Sequence, residues 1–212
     1  MRSSFGSSPL VRLYGGWAPA EPEAPGMDFA ERLGLWLNAF DAIRLQQAQQ
    51  AIRAATAAPR GARKPPRLAD DLAQARAVLA RAIARDPLQD AEPDAGYAPW
   101  RERHVDLQRQ MDLLIGPLRE HAREALGTAS LRLRQLAALD ATLQEVLAMR
   151  TQALLPTLPA LLEQRHRQLK QAGELDRFAD EWRQALLAEL ELRLAPVAGL
   201  VEALKNESET GT

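Results

Sequence analysis

Three histidines and a scatter of carboxylates are the side chains of this sequence that could do acid–base or metal chemistry, and their spacing limits that chemistry sharply. Glu163 and His166 stand three apart, which on a helix puts carboxylate and imidazole on one face. That is half of the paired carboxylate–histidine signature by which helical bundles hold two metal ions. The other half is missing, because Arg101 precedes His104 at that spacing and Leu118 precedes His121. Arg165 and Arg167 also flank His166, so the sequence places it on a solvated face. His104 falls within an apolar stripe and reads as a hydrogen-bonded histidine at the edge of a core, where a buried imidazole is a candidate switch. Asp140 lies beside Leu136, Leu139 and Leu143, and Glu189 and Arg193 stand four apart. Both carboxylates read as halves of interhelical ion pairs rather than as reacting groups.

Other chemistries lack their residues. Cysteine is absent, which excludes disulfides, thiolate metal sites and cysteine nucleophiles. There is no glycine-rich phosphate loop, nucleophile elbow or metalloprotease motif. The sequence therefore predicts a protein that is not an enzyme and needs no cofactor or metal. Net charge is −1, so no global field draws the chain to nucleic acid or to an anionic membrane. The charge is nonetheless uneven: Arg60 to Arg85 is basic, Asp86 to Asp94 acidic, and the last forty residues hold about twice as many carboxylates as bases. The basic stretch is the basis of an alternative reading, nucleic-acid binding, although it lacks interleaved aromatics and matches no nucleic-acid module.

The elements that must position these groups are helices. Trp100, His104, Leu107, Met111, Leu114 and Leu118 alternate steps of four and three, the mark of a long amphipathic helix. Leu136, Leu139, Leu143 and Val146 define a second stripe, and Leu158, Leu161, Leu162 and Leu169 a third. Leu175, Phe178, Trp182, Leu186 and Leu190 define a fourth. Each such side chain withdrawn from water contributes about 1.5–3 kcal/mol, so the stripes must pack on one another. No strand pattern competes. The predicted class is all-α, an irregular multi-helix bundle with proline-kinked helices: Gly116-Pro117 should kink the central helix near Leu113, Pro156 and Pro159 should break or bend the next, and Pro196 should end or bend the last. Trp36, Trp100 and Trp182 lie on separate stripes and are expected to meet in the core.

The organisation expected from composition is an N-terminal arm and aromatic-rich helix over 1–56, a flexible basic linker over 57–67, a main bundle over 68–205 and a disordered tail over 206–212. Within the arm, Ser8-Pro9 opens a two-turn helix that Gly15-Gly16 ends. Its Leu10, Val11, Leu13, Tyr14 and Trp17 either clasp the bundle or bind a partner. Apolar runs are far shorter than the ~20 residues of a membrane-spanning helix, and Met1 to Ser8 is too polar for an export signal. A cytoplasmic protein is expected, with Phe29, Leu33, Trp36 and Phe40 as the face for protein interaction, a homodimer included.

Order and spacing of several words also carry a resemblance. Asp28-Phe29-Ala30-Glu31-Arg32-Leu33, Trp36-Leu37 and Asp41-Ala42-Ile43 are followed by Leu107-Gln108-Arg109-Gln110-Met111, Leu136-Ala137-Ala138-Leu139-Asp140 and Pro159-Ala160-Leu161-Leu162. Ala188 to Leu194 and Pro196-Val197-Ala198-Gly199-Leu200 complete the set. Over nearly the whole chain this resembles the bacterial domain-of-unknown-function 3348 family; Tyr14-Gly15-Gly16-Trp17 departs from its pattern. The resemblance implies no catalytic residues. It implies company: a membrane protein similar to flagellar-stator or proton-channel subunits and an OmpA-like, peptidoglycan-binding protein. The function so implied is that of a cytoplasmic accessory subunit, peripheral to an inner-membrane complex of that kind, with phage defence as one setting.

Overall fold

The computed structural model of the chain describes residues 9–17, 39–54, 67–85, 96–154 and 157–210. Among them are seven α-helices, one 3-10 turn and no strand. The helices are α1 (Pro9–Gly15), α2 (Ala39–Ala54), α3 (Leu68–Ala84), α4 (Ala98–Ala129), α5 (Leu131–Leu154), α6 (Thr157–Ala172) and α7 (Phe178–Thr210), with the 3-10 turn Leu175–Arg177 before α7. The all-α expectation is met, and the helices pack as bundles.

Local chemistry sets several of the ends. Ser130 alone separates α4 from α5, and its hydroxyl accepts the amide of Leu133 at 3.2 Å, an N-cap that satisfies one of the orphan donors of the new helix. Gly173 ends α6 with φ +72°, a conformation that costs glycine nothing. Around it the Glu174 amide reaches the Leu169 carbonyl at 2.9 Å and the Gly173 amide reaches Lys170 at 3.3 Å, the bond pair of a Schellman cap. Pro159 sits in the first turn of α6, where a missing amide is tolerated.

Pro117 and Pro196 lie inside α4 and α7, and both helices continue past them. Pro196 therefore does not end its helix. The carbonyls four residues back, which proline leaves without an amide partner, belong to Leu113 and Leu192. Those residues are 68% and 53% exposed, so water can replace the lost bonds. The tail expected to be disordered from 206 is helical as far as Thr210. Its polar side chains still find partners within the helix, as when Ser208 donates to the Leu204 carbonyl at 3.0 Å.

The chain divides into two compact units. The first comprises 1–19, 67–119 and 153–198, the second 20–66, 120–152 and 199–212. In the first, the core is built from Leu68, Leu72, Leu79 and Ile83 of α3, Trp100, Leu107, Met111 and Ile115 of α4, Leu162 and Leu169 of α6, and Phe178, Trp182, Leu186, Leu190 and Leu194 of α7. Contacts between α4 and α7 advance together, Trp100 on Trp182, Gln108 on Glu189 and Asp112 on Arg193, so these two helices run parallel. In the second unit Ala122 and Leu126 join Leu133, Ala137 and Val146 of α5 and Leu200 of α7. There α2 lies antiparallel to α5, with Gln135 donating to the Ile52 carbonyl at 3.0 Å and Arg44 to Glu145 at 2.9 Å.

The stripes are shifted in detail. Beyond Met111 the buried position is Ile115, not Leu114, which is 41% exposed. A straight helix turns once in 3.6 residues, so a strict alternation of four and three drifts off the contact line and an extra step of four restores it. In α5 Leu133 and Ala137 are buried while Leu139 of the expected stripe is exposed, and of the expected Leu161 and Leu162 in α6 only Leu162 is buried.

Candidate functional site

The densest polar chemistry of the first unit is enclosed between α4 and α7. Glu189, on the inner face of α7, is almost wholly buried, as is His104 on the facing side of α4. Gln108, one turn beyond His104, donates to Glu189 Oε1 at 3.0 Å, and Arg193, one turn beyond Glu189, donates to the same oxygen through Nε at 2.9 Å and Nη2 at 2.7 Å. Arg193 also reaches Asp112 Oδ1 with Nη1 at 2.5 Å. His104 Nε2 stands 3.4 Å from Glu189 Oε2 without the geometry of a hydrogen bond.

Burial alone would push the Glu189 carboxyl up, but His104 and Arg193 together outweigh it and hold the group below the usual carboxylate range. The ion is therefore kept charged inside the fold. A charge so placed is tolerable only because it is paired and hydrogen-bonded, and the cluster fixes α4 and α7 in register.

Around this cluster runs an aromatic layer. Trp100 meets Trp182 edge to face at 5.1 Å and Phe178 at 5.2 Å, and His166 lies against Phe178 at 4.8 Å and Tyr97 at 5.6 Å. Trp100 and Trp182 thus meet as expected. His166 is a correction: it is buried, not on a solvated face. Its neighbours point elsewhere, since adjacent helical positions are about 100° apart. Arg165 makes two bonds to Glu181, at 2.6 and 2.8 Å, and Arg167 is exposed. Burial pulls the His166 imidazole below its ordinary pKa, with Lys170 acting the same way and Glu163 opposing.

Tyr97 caps the layer by donating to the Pro159 carbonyl at 2.7 Å. Tyr14 of α1 lies within reach of the charges of Glu189 and Tyr97. Burial raises the pKa of its phenol, and the Glu189 charge adds to that rise. The hydroxyl has no protein partner among the described residues. An unsatisfied buried hydroxyl costs about 1–3 kcal/mol.

The geometry offers hydrogen bonding and charge fixation. A groove of about 620 Å³ is lined by residues outside the His104–Glu189 pair, among them Tyr97, Arg101, Val105, Arg109 and Glu163. Among the described residues no group of three His, Asp or Glu side chains is disposed to hold a metal ion.

Asp140 belongs to the second unit and is an ion-pair partner there. Arg123 donates to its Oδ2 at 2.7 Å and to Gln144 Oε1 at 2.6 Å. Of the expected interaction face, Phe29, Leu33 and Trp36 lie outside the described residues, as does the side chain of Phe40. Of the basic stretch, 60–66 lies outside them too, while Arg76 pairs with Glu191 at 2.9 Å. A feature that sequence periodicity missed is a small groove of about 230 Å³ between α3 and α4, lined by Asp71, Gln74, Ala75, Val78, Leu114 and Leu118. The signal was present in the surplus of apolar positions: Val78 and Leu114 fall in stripes that the core does not wholly use.

This is an all-α protein of parallel and antiparallel helix pairs, with ionic clusters that lock helices and no helix among the described residues long and apolar enough to cross a membrane. The sequence pattern of the family described as "Protein of unknown function (DUF3348)" matches residues 1–175 and again 173–206. The chain belongs to that family. No curated protein and no solved structure matches it.

Proposed function

We propose that the protein is a non-enzymatic interaction or accessory protein whose partner is a helical segment of another protein. The observation that carries this reading is the groove between α3 and α4, where Val78 and Leu114 stay exposed on either side. Two facing helices with an apolar trough accept a third helix by the packing that joins them to each other. The ionisable residues of the interior give further support, because Asp140 is bound to Arg123 of the neighbouring helix, and Glu189 to Arg193 of its own helix and to Gln108 of α4. The setting we propose for the partner is the cytoplasmic face of a stator-like or proton-channel-like envelope complex, with phage defence as its context.

The test is co-purification from cells at native expression, with a photo-crosslinking residue at Leu114. A stoichiometric protein partner that crosslinks there, and that Val78→Glu with Leu114→Glu releases, is the expected result. Recovery of the chain free of any partner from both cytosol and detergent extract defeats the reading.

A further inference from the structure

Helix α1 is a separate piece of architecture. Leu10, Tyr14 and Trp17 follow one another at steps of four and three, and each engages the first unit. Leu10 is buried, the Glu189 charge acts on the Tyr14 phenol, and the Arg165 guanidinium lies over the Trp17 ring, 5.8 Å from its centroid. Tyr14 and Trp17 pack edge to face at 5.1 Å. A helix of seven residues is not stable alone, so α1 is helical because it is docked.

The seat beneath it is held by bonds that do not involve α1. Arg165 is fixed by Glu181, and Glu189 by Gln108 and Arg193. The occupant, in contrast, fits imperfectly at one atom, the Tyr14 hydroxyl, which is enclosed without an acceptor. A rigid seat with an imperfect, short occupant is suited to exchange.

We infer that α1 with Trp17 is a strap bound in cis, and that its seat on the first unit docks a helical segment of a partner protein. The partner segment carries leucine, an aromatic residue four positions on and tryptophan three further, the middle residue lacking a hydroxyl or bearing a donor that reaches Glu189. The inference rests on the reading of this chain as an interaction protein, but at residues separate from the Val78–Leu114 groove. Until such a segment arrives the strap keeps the seat closed, and its own sequence is the template for what displaces it.

The test uses the full chain and a fluorescein-labelled peptide of residues 8–19 as the probe. Leu10→Asp should free the seat, so that this variant binds the peptide at least ~10-fold more tightly than the wild type, in which the strap competes. Trypsin cleavage after Arg12, which is exposed, reports opening directly. Tyr14→Phe should slow that cleavage several-fold and Leu10→Asp speed it, as expected when cleavage follows the open population. The inference is overturned if the peptide binds both proteins equally or neither. It is also overturned if cleavage after Arg12 follows only global unfolding in urea, or if Leu10→Asp unfolds the protein by circular dichroism. None of those results touches partner capture at Leu114, so the two readings fail separately.

Discussion

His104 Nε2 and Glu189 Oε2 face each other across 3.4 Å on parallel helices, both side chains shut off from water. The pair is one corner of a cluster in which Arg193 and Gln108 supply the strong bonds. Glu189→Ala leaves Arg193 with only the exposed Asp112 and leaves Gln108 without an acceptor, and should destabilise the protein by about 3–5 kcal/mol. Urea unfolding measures it, and a loss below 1 kcal/mol would show that the cluster does not hold α4 to α7.

Acid should act on the same region in two steps. His166 has a lowered folded pKa, so its contribution is fully present above the ordinary histidine value and is lost as pH falls below it towards the folded value. Glu189, also lowered, contributes above the ordinary carboxylate range and is lost only as pH falls through its depressed value. Melting temperature should therefore decline gently from pH 7 to 5 and steeply below 4. His166→Phe should flatten the first decline while leaving the second. An unchanged upper decline in that variant would remove His166 as its cause.

In the second unit Arg123 collects Asp140, Gln144 and Glu120. Arg123→Met keeps most of the aliphatic contact and removes the charged bonds. A loss of about 1–3 kcal/mol in chemical denaturation is expected from hydrogen bonds of this type. Asp140→Asn should recover part of it in the double variant, because the group that Arg123 bonded is then neutral.

Two adjacent residues test the packing register of α4. Ile115→Ala should cost about 2–5 kcal/mol, as for other buried aliphatic truncations, whereas Leu114→Ala should change stability by about 0.5 kcal/mol or less. The reverse order would mean that the helix is turned by one position from the arrangement described here.

Much of this was legible in the residues. The stripes announced helices, Trp100 and Trp182 were expected to meet, and Asp140 sits in the expected interhelical ion pair, with Arg123, whereas Glu189 pairs with Arg193 of its own helix and meets α4 through Gln108. What periodicity could not supply was phase and partnership. A three-four stripe runs on from Met111 to Leu114 or to Ile115 alike, and only the tertiary packing selects Ile115 over Leu114. His166 was hidden by its charged neighbours, although the spacing Pro159, Leu162, His166 and Leu169 holds the same three-four rhythm that marked the other stripes. No local pattern states that Gln108 will find Glu189, because that choice belongs to the tertiary fold.

The parallel pairing of α4 with α7 also sets the order in which the chain can become a protein. Gln108 and Glu189 are 81 residues apart, as are Asp112 and Arg193. At synthesis rates of about 5–20 residues per second, the inner face of α4 emerges roughly 4–16 s before the helix that covers it. Closing so long a loop carries an entropy cost that only the completed contact offsets, so the tryptophan layer is a late event. Through that interval Trp100, Leu107 and Met111 are an apolar surface that α7 has yet to cover, the kind of surface that makes incomplete chains prone to aggregate.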